Sequence, residues 1–172
     1  QFLIERQILA TMHHPNIVTL LDGGTTEDGL PFFITEFVEG TRLDKYIEKE
    51  NPKLAERLEL FDQICAAVEY AHSSLVIHRD LKPANIIVDA TGQPKILDFG
   101  VARMTENDMR VATMRTEAGQ ILGTAAYMSP EQAGGDPAEL DIRSDVYALG
   151  VIGYELLCGR LPYDVRRRMI HE

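Results

Sequence analysis

The chain has 172 residues, the size of one domain, and is 45% hydrophobic and 26% charged, as ordinary soluble proteins are. A net charge of -10 argues against a nucleic-acid-binding surface and against an acidic polymer as partner. No apolar run reaches the roughly 18 residues of a membrane span.

The chain opens on Phe2, Leu3, Ile4, Ile8, Leu9 and Met12 at helical spacing, without a basic leader region. This reads as an amphipathic helix ending before Pro15. Ile17 to Leu21 and Phe32 to Val38 read as antiparallel strands joined by a polar turn around Asp28-Gly29. Gly40-Thr41 is expected to break the chain, and Leu43 to Lys49 to form a short helix. Leu54, Leu58, Phe61, Ile64, Cys65, Val68, Ala71, His72 and Leu75 trace one face of a long helix. Asn51-Pro52 is its expected start, because Asn caps and Pro suits the first turn. Ile86–Val88 and Lys95–Leu97 flank Thr91-Gly92 and read as a hairpin. Residues 101 to 122 show no period and read as a long functional loop. Ile142 to Leu157 reads as a mostly buried helix that Cys158-Gly159 ends. Cys65 and Cys158 are expected to be buried thiols of a reducing compartment. No internal repeat occurs.

The chemistry concentrates in His78-Arg79-Asp80-Leu81-Lys82-Pro83-Ala84-Asn85 and in Asp98-Phe99-Gly100. The first stretch puts a carboxylate, an ammonium and a carboxamide on one loop. The second adds a carboxylate on a turn. Such a set can orient a hydroxyl, neutralise a phosphate and hold a metal, which is what phosphoryl transfer needs. Asp80 would accept or orient the hydroxyl proton, and Lys82 would neutralise the transferred group. Asn85 and Asp98 offer oxygen ligands to Mg²⁺ or Mn²⁺. An isolated Asp is more often a solvated turn residue. The surrounding octapeptide outweighs that reading.

These stretches resemble the catalytic loop, H-R-D-L-x-x-x-N, and the D-F-G turn of protein kinases. The resemblance implies an α+β, protein-kinase-like fold, with a partial small lobe and most of the helical large lobe. Residues 1–38 would be the remnant of the small lobe and hinge, and 39–172 the large lobe through the helix after the activation segment. Glu5 resembles the helix glutamate that pairs with a phosphate-binding lysine. Thr35-Glu36-Phe37-Val38 resembles the hinge, with Thr35 gating the pocket and Phe37 and Val38 against the adenine. Ile87 would be its apolar floor, and Asp98 would reach the ATP phosphates through the metal.

Further roles follow from the same resemblance. His78 would join an internal stack with Phe99, Leu9 and Leu20, and is not read as catalytic. Arg79 would pair with a phosphate on the activation loop, for which Thr113 and Thr116 are the candidate sites. Gly100 completes the metal turn. Thr124 would bond near Asp80 and Lys82. Glu131, in Ser129-Pro130-Glu131, would form a buried ion pair with a later Arg. Asp145 would accept hydrogen bonds from the catalytic-loop backbone. Asp-Leu-Lys-Pro-Ala-Asn, with Gly-Thr before Ser-Pro-Glu, points to Ser/Thr acceptors on proteins. Ser-Pro-Glu-Gln-Ala has the flavour of bacterial kinases of the eukaryotic type.

The chain holds no glycine-rich phosphate loop and no Val-Ala-x-Lys strand, and it does not begin with Met. It is therefore read as an internal piece of a kinase domain, weak or inactive alone. The alternative is a truncated or pseudokinase-like binding scaffold. The intact Asp80, Lys82, Asn85 and Asp98 speak against that. Expected partners are ATP, protein substrates and a second kinase copy for autophosphorylation. The expected location is the cytoplasm, with any membrane anchor of the parent protein outside this chain.

Overall fold

The computed structural model describes residues 11–99, 125–134 and 140–163. Two small antiparallel sheets and four helices lie within them. Strands β1 (Leu20–Thr25) and β2 (Pro31–Thr35) form a hairpin, pairing Leu20 with Thr35 and Thr25 with Pro31, with a bulge between Leu20 and Asp22. The turn is closed by Thr26, whose N–H donates to Leu30 O at 2.8 Å, and by Gly29 at φ 82°. The strands are displaced from the sequence expectation. Ile17 stands outside β1 and makes a parallel bridge to Ile96, and β2 stops at Thr35. The pairing register, not apolarity, sets those limits.

Strand β3 (Gly40–Arg42) occupies the stretch expected to be a break. It pairs antiparallel with β4 (Ile86–Asp89), which pairs in turn with β5 (Pro94–Ile96). Gly40 is required there. A Cβ would collide with Val88 O and would lie 2.6 Å from Ile87 Cγ2.

Helix α1 (Leu43–Glu50) ends on Asn51, which is left-handed at φ 43°. Asn51 therefore stops one helix instead of starting the next. Helix α2 (Leu54–Ser73) begins after Lys53, whose N–H donates to Glu56 Oε2 at 2.6 Å. Its buried face is Leu60, Ile64, Ala67, Val68 and Ala71. Leu54, Leu58 and Leu75 of the expected face are exposed. The long helix meets β5 and the last helix, and those partners choose the stripe.

Helix α3 (Pro130–Gly134) is short. Helix α4 (Ile142–Cys158) is capped by Asp141, which accepts from Arg143 N–H at 2.8 Å. It ends on left-handed Gly159 at φ 67°. Cys158 is exposed and Cys65 half-buried, so the expected pair of buried thiols is not found. Cys158 is the last residue of its helix, where the packed face has ended.

The core joins Ile64, Val68 and Ala71 of α2 to Ile86, Val88 and Ile96 of the sheet and Ile152 of α4. Each such Ile or Val side chain contributes about 1.5–3 kcal/mol by leaving water. Arg57 ties the helices at their ends. Its guanidinium donates to Leu156 O and Pro52 O at 2.8 Å each and to Asn51 Oδ1 at 2.9 Å.

Candidate active site

The loop between α2 and β4 carries the chemistry. Lys82 Nζ lies 2.7 and 3.0 Å from the two carboxylate oxygens of Asp80. Asn85 Nδ2 donates to Asp80 O at 2.8 Å and to Asp80 Oδ2 at 3.1 Å. Both targets are acceptors only, so the amide orientation is fixed by the network. The carbonyl oxygen of Asn85 is then the end that a hard cation could take. Pro83–Asn85 forms a 3₁₀ turn, and Asn85 N–H donates to Lys82 O at 2.9 Å. That turn brings three functional side chains of one octapeptide together.

The loop is held from behind by Asp145 on α4, which is 1% exposed. Its carboxylate accepts from His78 N–H, Arg79 N–H and His72 Nε2, each at 2.8 Å. Burial raises its pKa. The bonds from His72, then from the two amides, outweigh burial and hold the carboxyl below its ordinary value. His72 is a participant that sequence reading placed only on a helix face.

His78 is buried, and both ring nitrogens are used. Nε2 lies 2.8 Å from Leu97 O, and Asp80 N–H points at Nδ1 at 3.2 Å. Nε2 therefore carries the proton and Nδ1 accepts, which is a neutral ring. Its edge meets the Phe99 ring at a centroid distance of 4.8 Å. Leu20 packs against the same core, while Leu9 lies outside the described residues.

Arg79 and Asp98 have left-handed backbones, at φ 70° and φ 59°. Such positions cost of order 1–3 kcal/mol each and gather at functional sites. Two of the four such non-glycine residues described fall in these two motifs; Asn51 and Leu75 follow helix ends. Asp98 is exposed, one residue after Leu97, whose N–H donates to Asn85 O at 2.8 Å. Asn85 and Asp98 thus belong to adjoining turns. Among the described residues no three His, Cys, Asp or Glu side chains form a metal cluster. A carboxylate and a carboxamide on adjoining segments suit Mg²⁺, which takes few protein ligands and usually keeps a substrate phosphate.

Beyond β2, Glu36 is held rather than exposed. Its N–H donates to Thr19 O at 3.0 Å, and its Oε1 accepts from Thr19 N–H at 2.9 Å and from Lys95 Nζ at 3.2 Å. The Thr19 amide, and then Lys95, keep the Glu36 carboxyl below its ordinary value despite some burial. Thr35 is exposed at the end of β2, Val38 is half-buried, and Phe37 is 91% exposed. Ile87 is half-buried on β4, across from Arg42 and Lys95.

Glu131 is half-buried and accepts from Ser144 Oγ at 2.8 Å. Its own helix-terminal N–H, then the Ser144 and Ser129 hydroxyls, lower its pKa. The hydroxyl of Ser144 on α4 thus reaches this carboxylate. Gln132 was not singled out from sequence. Its side chain reaches back to the catalytic loop, donating to Arg79 O. Glu5, Gly100, Thr113, Thr116 and Thr124 lie outside the described residues.

The protein kinase domain family matches residues 1–172. The chain belongs to that family. It is 39% identical over 167 residues to the serine/threonine-protein kinase PknB of Mycobacterium leprae, covering 95% of this chain and 26% of that protein. It is 40% identical over 165 residues to the serine/threonine-protein kinase PrkC of Bacillus subtilis, covering 95% and 24%. To the serine/threonine-protein kinase pkn3 of Myxococcus xanthus it is 41% identical over 169 residues, covering 95% and 30%. The chain thus spans about a quarter of the length of these relatives. The α+β architecture of small antiparallel sheets and packed helices is that of a partial kinase domain. Among the described residues no helix is long and apolar enough to cross a membrane.

Proposed function

We propose that this chain carries the centre for ATP-dependent phosphoryl transfer to Ser/Thr hydroxyls of proteins. The observation that carries this reading is the Asp80–Lys82–Asn85 cluster, with its distances of 2.7 to 3.1 Å. Asp80 orients the substrate hydroxyl and takes its proton. Lys82 lies against Asp80 and moves to the transferred phosphoryl group as charge develops there. Asn85 and Asp98 hold Mg²⁺ or Mn²⁺, which neutralises the ATP phosphates when bound. Arg79 answers a phosphate at Thr113 or Thr116, and a second copy of the kinase is the partner that installs it.

The adenine lies along Glu36–Val38, over Ile87. An exposed Phe37 and a Glu36 tied to Thr19 support that placement. Residues 1–38 act as hinge and small-lobe remnant, and the rest as the large lobe, in the cytoplasm. The isolated chain is weak or inactive, because it contains no glycine-rich loop and no partner lysine for Glu5. Either loss removes several kcal/mol of electrostatic stabilisation, by order of magnitude.

The test is intact-mass spectrometry after incubation with Mg-ATP. It compares the isolated chain, the full-length gene product, and the full-length product with Asp98→Asn. Phosphate added only to the full-length wild type supports the reading. Phosphate on the Asp98→Asn product, or none on any, sinks it. Phosphate on the isolated chain removes the claim of inactivity alone.

A further inference from the structure

Gln132 stands in a short segment between two functions. Ser129 is fully buried, and its N–H donates to Gln132 Oε1 at 3.0 Å. In return Gln132 N–H points at Ser129 Oγ at 3.4 Å. This is a reciprocal cap, Ser-x-x-Gln, at the start of α3. Ser129 N–H can only donate, so the carbonyl end of the Gln132 amide must face it. The nitrogen end is then directed outward, and it meets Arg79 O, which can only accept.

The peptide between Arg79 and Asp80 is therefore gripped at both ends. Gln132 holds its carbonyl, and His78 Nδ1 takes its N–H at 3.2 Å. Asp145 holds the preceding N–H, and the left-handed φ of 70° at Arg79 lies between these restraints. The cavity beside these groups has room for about one water.

We propose that Gln132 is a positioning residue: it links the Ser129–Gln132 turn to the peptide that aims the Asp80 carboxylate. This rests on the phosphoryl-transfer reading of Asp80. A turn that shifts carries the Arg79 carbonyl with it. The aim of Asp80 thus depends on the segment that follows residues 101–124 in the chain.

Gln132→Glu separates clamp from cap. A carboxylate still accepts from Ser129 N–H, but it turns an oxygen toward Arg79 O. In the full-length gene product at about pH 8, kcat should fall about 10- to 100-fold, the scale of a misplaced catalytic group. The KM for Mg-ATP should change by less than about threefold, since the clamp acts on the Arg79–Asp80 peptide and not on the Glu36–Val38 segment proposed for the adenine. Amide hydrogen exchange over residues 78–81 should quicken. Ser129→Ala should do the converse, lowering the unfolding midpoint with kcat within about twofold of wild type. Wild-type kcat and wild-type exchange in Gln132→Glu would overturn the proposal. So would a loss of kcat matched by a fallen unfolding midpoint with wild-type exchange over residues 78–81. A wild type that transfers no phosphate defeats the phosphoryl-transfer reading, and amide exchange then decides the clamp by itself.

Discussion

The carboxylate of Asp145 accepts the backbone N–H of Arg79 at 2.8 Å from 66 residues along the chain. It also takes His78 N–H and His72 Nε2 at 2.8 Å each, in a site that is almost wholly dry. Asp145→Asn keeps the shape and turns an NH₂ toward at least one donor. A buried donor left unmatched costs about 1–3 kcal/mol. Urea titration should show a loss of that size, together with a fall in kcat, because the loop carrying Asp80 loses its support. An unchanged midpoint would mean that the three bonds contribute nothing net.

The same carboxyl predicts a pH effect. Its folded pKa lies below the ordinary value of 3.8. Its contribution is then complete above the unfolded value and lost as pH falls through the lower folded one. Unfolding midpoints measured from neutral pH downward should fall less steeply in Asp145→Asn than in wild type. Parallel acid limbs would show that other carboxylates govern acid unfolding.

Glu36 joins the segment after β2 to Lys95 on β5. The pair is a third exposed on the glutamate side, so its net stability is at most about 1 kcal/mol. Glu36→Gln should leave the unfolding midpoint nearly unchanged. On the proposed placement of the adenine along Glu36–Val38, it should raise the KM for ATP about fivefold, the worth of about one net hydrogen bond, because the Thr19 anchor of that segment weakens. An unaltered KM would remove this side chain from the nucleotide site.

Gly40 has no space for a side chain, because an added methyl would overlap Val88 O and sit 2.6 Å from Ile87 Cγ2. Gly40→Ala must push β3 from β4. The expected cost is about 1–3 kcal/mol, read by thermal or denaturant unfolding. ATP affinity should drop with it, because Ile87, proposed to lie beneath the adenine, is one of the groups displaced.

Arg57→Ala removes bonds to Leu156 O, Pro52 O and Asn51 Oδ1, all far from the catalytic loop in chain position. Stability should fall by about 1–3 kcal/mol with kcat intact at temperatures where the protein stays folded. A fall in kcat without a fall in stability would contradict this purely structural assignment.

Much of the architecture follows from local pattern. The hairpin of β4 and β5 is announced by Thr91-Gly92, and α4 by its apolar spacing and terminal Gly159. Strand β3 is illegible in sequence, because Gly40-Thr41-Arg42 has no apolar alternation and is extended only by pairing with β4. The face of α2 is rotated from expectation for a related reason. Periodicity gives a stripe, but the neighbours decide which edge of it is covered. Asn51 reads as a cap for the helix after it, and its left-handed backbone ends the helix before it.

Asp80, Lys82 and Asn85 share one octapeptide, so local sequence alone dictates that a carboxylate, an ammonium and a carboxamide meet. Their spacing is shorter than a single turn of loop can separate. The family follows from the same local strings. How that loop is held was decided in three dimensions. His72, Asp145, Ser144 and Gln132 act across separations of 13 to 73 residues. A hydrogen bond acts over about 3 Å of space whatever the distance along the chain. Only the packing of α2 and α4 brings those donors and acceptors within that reach.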